Sequence, residues 1–217
     1  MRLLKKGAVI LLRERVPPLS ERQILRAVQI PRLQRLSEID ERGVREAVCK
    51  AAARARDMSG FEAVFRTAEI EGRSERAVLV AGSDTLLSAP SLLDLLADAR
   101  LVTFIAITLG PLWDVALDEL TAKGEPAEAW FLDAIGTRIA DQAARLVEDR
   151  AASDLAREGL RRTRRYRPGY GDWGVLVQAE LCAFVEAERI GVHPNEASVL
   201  LPRKSITGVV GFRAAEC

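Results

Sequence analysis

An α+β fold is expected of this chain, on three grounds. Strand-like and helix-like segments do not alternate as βαβ units, so a doubly wound parallel sheet is disfavoured. Two long stretches, 40–58 and 126–154, carry apolar residues at helical spacing. One apolar run, 101–109, is rich in Val, Ile, Thr and Phe, the composition of a buried central strand.

Taken in order, residues 17–36 are Arg-rich and broken by Pro17, Pro18 and Pro31, which predicts a short helix between irregular connections. In 40–58, Val44, Val48, Ala51 and Ala52 recur on one helix face. Strands are predicted over 61–71 and 76–81, followed by a Leu-rich helix over 91–99. The central strand 101–109 stops at Gly110-Pro111, and a helix over 112–123 leads into the long one over 126–154. That helix places Leu132, Ile135, Ile139, Ala143 and Leu146 together. A basic extended stretch, 161–167, turns at Pro168-Gly169. The pattern then predicts a helix over 172–189 with Asp172 as N-cap and Gly191 as its left-handed C-terminal residue. Short strands over 198–201 and 205–212 follow.

At 217 residues and 48% hydrophobic, the sequence has enough apolar material for one large domain, or for a domain with an N-terminal appendage. We divide it into a helical and strand portion, 1–80, and a core, 81–217. Its 32 basic residues nearly balance 31 acidic ones, so no global attraction to nucleic acid or to an acidic membrane is expected. Cys49, Cys182 and Cys217 are too scattered for a disulfide framework, and His193 is the only histidine, so no metal site is expected. The first 18 residues superficially resemble a secretory leader, but the apolar core is short, Arg13 and Arg15 follow at once, and no small-residue cleavage site is present. No run approaches the roughly 20 apolar residues of a membrane span. The chain reads as cytoplasmic.

The most informative segment runs from Arg164 to Trp173. Pro168 restricts the backbone and Gly169 frees it, a combination that opens backbone groups to a ligand. Arginine offers a planar fork for a carboxylate or phosphate, and Tyr170 and Trp173 offer faces for a base or a sulfonium. Composition alone favours a solvated basic turn, with a nucleic-acid stacking platform as the next reading.

The order of residues carries more. Arg165-x-x-x-Gly169-Tyr170 looks like the R-x-x-x-G-Y motif of the activation domain of cobalamin-dependent methionine synthase, and RPGYGDW is similar to the form found in free-standing relatives. Further matches follow in the same order: Ala187 to Val192, Asn195-Glu196, Pro202, and Lys204 to Gly208. Upstream, Thr108-Leu109-Gly110-Pro111 and Leu132 to Gly136 also fall in register. The resemblance covers about Ala81 to Phe212, and it implies a twisted antiparallel sheet flanked by helices.

It also implies roles. Arg165 would pair with the carboxylate of S-adenosylmethionine, Asp141 would hold its amino group, and the backbone at Pro168 and Gly169 would contact the adenosyl moiety. Arg167 and Tyr170 would complete that site, Tyr170 near the sulfonium. Pro202, Lys204, Ser205 and Gly208 would face a corrinoid. Read from the residues alone, Asp141 is equally an ordinary helix-surface partner of Arg138 and Arg145, and the last group equally a strand-turn-strand corner. No counterpart of the family's early Asp-Trp pair occurs before Ala81. The implied activity is reductive methylation of cobalamin within methionine biosynthesis, a matter of positioning that needs no acid-base residue. The chain would serve cobalamin held by a core methionine synthase or another corrinoid methyltransferase protein, with a flavodoxin or ferredoxin-type reductant. A docking or chaperone module for a corrinoid protein is the alternative.

Overall fold

The computed structural model describes residues 7–215, with the backbone alone at 84–86. The first six residues of the leader-like start, and Cys217, lie outside them. A seven-stranded antiparallel sheet, curled and flanked by helices, organises the molecule. Strand β2 (Gly60–Arg73) and strand β5 (Ala99–Thr108) form its centre, and β9 (Ser205–Ala214) pairs along the other side of β5. Beyond β9 lies the short β6 (Leu160–Arg162). The first half of β2 pairs with β1 (Val9–Arg15); its second half pairs with β3 (Val78–Val80), which in turn pairs with β4 (Ser83–Leu87).

From Leu101 to Ile107, β5 is apolar but for one residue, because both of its faces are covered. Leu101, Ile105 and Ile107 join one core, while Val102, Phe104 and Ala106 point into another. The break in that run, Thr103, faces its registered partner Thr67, and the two hydroxyls are bonded at 2.8 Å. A buried polar pair is tolerable when each satisfies the other.

The first core is built by four helices. In α1 (Glu21–Ala27), Ser20 and Gln23 form a capping box. In α2 (Arg42–Asp57), Val48, Ala51 and Ala55 are buried at helical spacing against α5 (Pro126–Leu155). Helix α4 (Leu112–Ala122) crosses α5 where Trp113 covers Gly136; a Cβ there would lie 2.5 Å from the indole ring. The second core is closed by α3 (Pro90–Leu95), which starts with proline at its first turn, and by α6 (Gln178–Phe184).

Most expected elements occur within a few residues of their predicted places, and three expectations change. Residues 9–15 of the leader-like start form β1, paired with β2: its continuous apolar run places Ile10 and Leu12 against one core and Val9 and Leu11 against the other, and the charged residues 13–15 are exposed. The predicted helix over 172–189 is not continuous. It breaks into a single turn at Val175–Val177, α6, and a second turn at Ala187–Ile190, separated by Glu186 in the left-handed region at φ 55°. Asp172 does not cap it; its carboxylate accepts the Ser91 N–H at the start of α3 instead, at 2.8 Å. Gly191 is left-handed as expected, with φ 70°. His193 begins β7 (His193–Pro194), which pairs with β8 (Leu200–Leu201).

Candidate functional site

The Arg165–Tyr170 turn leaves the sheet beside β9 and is tied down from both sides. Tyr166 exchanges two backbone hydrogen bonds with Val209, at 3.0 and 2.9 Å. That close approach requires Gly208, where an added Cβ would come within 2.8 Å of the Tyr166 carbonyl oxygen. Pro168 is buried, and Gly169 takes φ 83°, which favours glycine, so that its N–H reaches the Trp173 carbonyl at 2.7 Å. The Tyr166 ring stacks on buried Trp173, with centroids 6.1 Å apart, and its hydroxyl donates to Asp172 at 3.1 Å. Gly171 is needed too, because a Cβ would meet that hydroxyl at 2.4 Å. Asp172, bonded to both Ser91 and Tyr166, therefore fastens the turn to α3; the Ser91 N–H foremost holds its carboxyl below the usual range.

Arg165 points inward, its side chain 10% exposed, and makes charge-assisted hydrogen bonds to Asp141 and Glu148. Both carboxylates come from α5, seven residues apart, two turns along one face. Glu148 was not singled out by sequence reasoning. Its spacing from Asp141 was the available signal, but its partner Arg165 is distant in the chain. Burial pushes the Glu148 carboxyl above its ordinary range, against the opposing influence of Arg165 and Arg162. Asp141 also keeps the partners predicted from helical spacing, Arg138 at 3.4 Å and Arg145 at 3.2 Å.

A cavity of about 460 Å³ opens over Arg165 and Glu148, lined also by Arg145, Tyr166, Arg167 and Tyr170 among others; Asp141, Pro168 and Gly169 are not part of its lining. That size lies within the range of small-molecule sites, about 300–1,000 Å³. Tyr170 is 54% exposed, and the Arg167 guanidinium lies over its ring at 4.3 Å. A larger cavity of about 550 Å³ lies elsewhere, between β1, β2 and the start of α4. In it Arg13 pairs with Glu62 and Arg15 with the carbonyls of Arg56 and Asp57, and none of the site residues singled out from the sequence lines it.

The remaining predicted residues gather at the start of β9, apart from the turn except for Gly208. Pro202 follows a cis peptide bond and is half-buried. Lys204 is buried and donates to Asp133 at 2.8 Å and to Thr137 at 2.9 Å, while the Ser205 hydroxyl donates to Thr108 at 2.9 Å. Both side chains thus spend their polar atoms joining this corner to α5 and β5, and Gly208 is buried beneath the turn. Glu196 is exposed; the neighbouring corner is shaped by Asn195, whose side-chain oxygen accepts the Ala197 and Val199 N–H groups at 3.0 Å. No group of three or more potential metal ligands occurs among the described residues.

A curled antiparallel sheet with helices on both faces, and an ion-paired arginine turn beside an inner strand, define an α+β domain with a polar cavity over that turn. The solved structure of the MetH reactivation domain bound to AdoHcy matches it with a TM-score of 0.66, over 98% of this chain and 81% of that chain, at 13% sequence identity. The fold is that of the methionine synthase reactivation domain. No family model and no curated protein matches the chain. Among the described residues, no helix is long and apolar enough to cross a membrane.

Proposed function

We propose that this chain binds S-adenosylmethionine at the Arg165–Tyr170 turn and supports reductive methylation of cobalamin held by a partner, a core methionine synthase or another corrinoid methyltransferase protein. The observation that carries the reading is Arg165 held between Asp141 and Glu148 beneath a pocket, on a fold shared with a domain solved with AdoHcy. An arginine fork beside two carboxylates matches the two charges of an amino-acid head group. On binding, the ligand carboxylate takes part of the Arg165 fork, and its ammonium meets the carboxylate oxygens that Arg165 releases. The backbone at Pro168 and Gly169 borders the adenosyl moiety, and Arg167 and Tyr170 close the outer side.

When bound, the ligand supplies an activated methyl group; the protein contributes orientation and exclusion of water. Pro202 belongs to the surface presented to the corrinoid, with Lys204, Ser205 and Gly208 holding that surface in shape from within. Tyr170, Val175 and Leu176, exposed on one loop, extend it. The electron comes from a flavodoxin or ferredoxin-type reductant, and the setting is the cytoplasm.

Calorimetric titration with S-adenosylmethionine and S-adenosylhomocysteine tests the reading. Arg165→Ala should weaken binding by about thirtyfold or more, the usual effect of truncating one member of a buried charge pair. Circular dichroism of the variant separates lost binding from lost fold. No binding to wild-type protein at millimolar ligand would refute the proposal. One observation favours a second reading, a docking module for a corrinoid protein without a ligand of its own: Arg165 is already fully partnered by Asp141 and Glu148. Capture of a corrinoid protein unaffected by either nucleoside would favour that module.

A further inference from the structure

The cavity over Arg165 already contains a cation on its aromatic wall. Arg167 and Tyr170 both line it, the guanidinium carbon of Arg167 lies 4.3 Å from the Tyr170 ring centroid, and an Arg167 N–H donates to the Tyr170 hydroxyl at 2.5 Å. The arrangement is held by the backbone as well as by the side chains. The Tyr170 N–H bonds the Arg167 carbonyl at 3.2 Å, Gly169 supplies the left-handed residue between them, and the Arg167 stem runs along Gly208. No carboxylate among the described residues pairs with Arg167, so the ring is its principal partner.

A ring face stabilises one cation at close range. A second positive charge brought to the same wall meets the guanidinium directly, and like charges at such separations repel; Glu148 on the same lining does not relieve this, because it is engaged by Arg165 and Arg162, while Arg145 is paired with Asp141. The geometry points to Arg167 as a specificity-determining residue: it occupies the Tyr170 face, so the site favours an uncharged thioether nucleoside over the corresponding sulfonium, and a sulfonium binds in full only when Arg167 leaves the ring. The inference rests on the proposed S-adenosylmethionine site and adds to it which charge state of the sulfur the pocket prefers. In a transmethylation it would make the spent ligand a strong competitor of the fresh one, with Arg167 setting the ratio.

The test is the ratio of two affinities, measured by calorimetry with S-adenosylmethionine and S-adenosylhomocysteine on the full chain. The variants are Arg167→Ala, Arg167→Gln and Arg167→Lys. Removing the charge should shift the ratio toward the sulfonium by about two- to thirtyfold, the span of measured cation–π energies. Arg167→Gln should behave like Arg167→Ala although it retains length and a hydrogen-bond donor, and Arg167→Lys should stay near wild type. A general loosening of the turn would weaken both ligands together and leave the ratio unmoved. If both ligands bind and the ratio is the same in all four proteins, or if Arg167→Ala weakens both equally, the inference is overturned while the proposed site stands. If neither ligand binds wild-type protein, the proposed site fails and this inference fails with it.

Discussion

The Glu148 carboxyl is buried beside Arg165, and burial raises its pKa above the ordinary 4.5. A raised carboxyl pKa means that the folded state holds the proton more tightly than the unfolded chain does. The stability it contributes is present below pH 4.5 and is lost as the pH rises through the raised value. Glu148→Gln carries no such proton. Its melting temperature relative to wild type should therefore improve steadily as the pH is raised from 4.5. Thermal unfolding of both proteins across that window checks this, and a constant difference would contradict it. Asp172 behaves oppositely: its lowered pKa gives a contribution present above 3.8 and lost as the pH falls through the folded value. Arg165 was legible as a candidate from its motif. The buried Glu148 was not, because burial is a property of how α5 meets the sheet and no local pattern distinguishes it from the many surface glutamates.

At the scale of elements, the long helix α5 does two jobs. One face carries Asp141 and Glu148 to the site, and another packs against α2 and α4. Its crossing with α4 depends on Gly136, where a Cβ would lie 2.5 and 2.7 Å from the Trp113 ring, with Lys204 a further neighbour at 3.2 Å. Trp113 is fully buried and its indole N–H is bonded to the Met58 carbonyl at 3.0 Å, so it has little room to yield. Gly136→Ala should accordingly cost about 1–3 kcal/mol through overpacking, despite the higher helix propensity of alanine. Urea unfolding measures it; a more stable variant would show that the helix pair separates freely. Helical periodicity placed α2 and α5 from sequence because each buries one stripe. The segment 172–189 misled the same reasoning. Its apolar spacing is helical, but Glu186 in the left-handed region divides it, and the turn that follows packs against β2 and β5, elements distant in the chain.

For the whole molecule, the first 80 residues contribute β1 and β2 to the same sheet as β5 and β9, and α1 and α2 to the same core as α4 and α5. Leu25 of α1 is fully buried there. Leu25→Ala should lower the stability of the entire chain by about 2–5 kcal/mol while leaving one cooperative transition. Coincident denaturation curves from far-ultraviolet circular dichroism and tryptophan fluorescence would establish that. Two separate transitions would instead mark the N-terminal portion as an independent unit.

The α+β class, the central strand, the principal helices and the turn that carries Arg165 are legible in the chain's own pattern. These are written in local periodicity, in proline and glycine positions, and in a motif whose residues are neighbours in the chain. Only the tertiary structure decided that β1 is an edge strand, that Asp172 holds α3, that Lys204 and Ser205 bond inward, and that Glu148 is the second carboxylate on Arg165. The physical reason is that hydrogen-bond partners, desolvation and like-charge contacts arise between residues far apart in sequence. Their energies depend on the approach of whole elements, which no window of the chain contains.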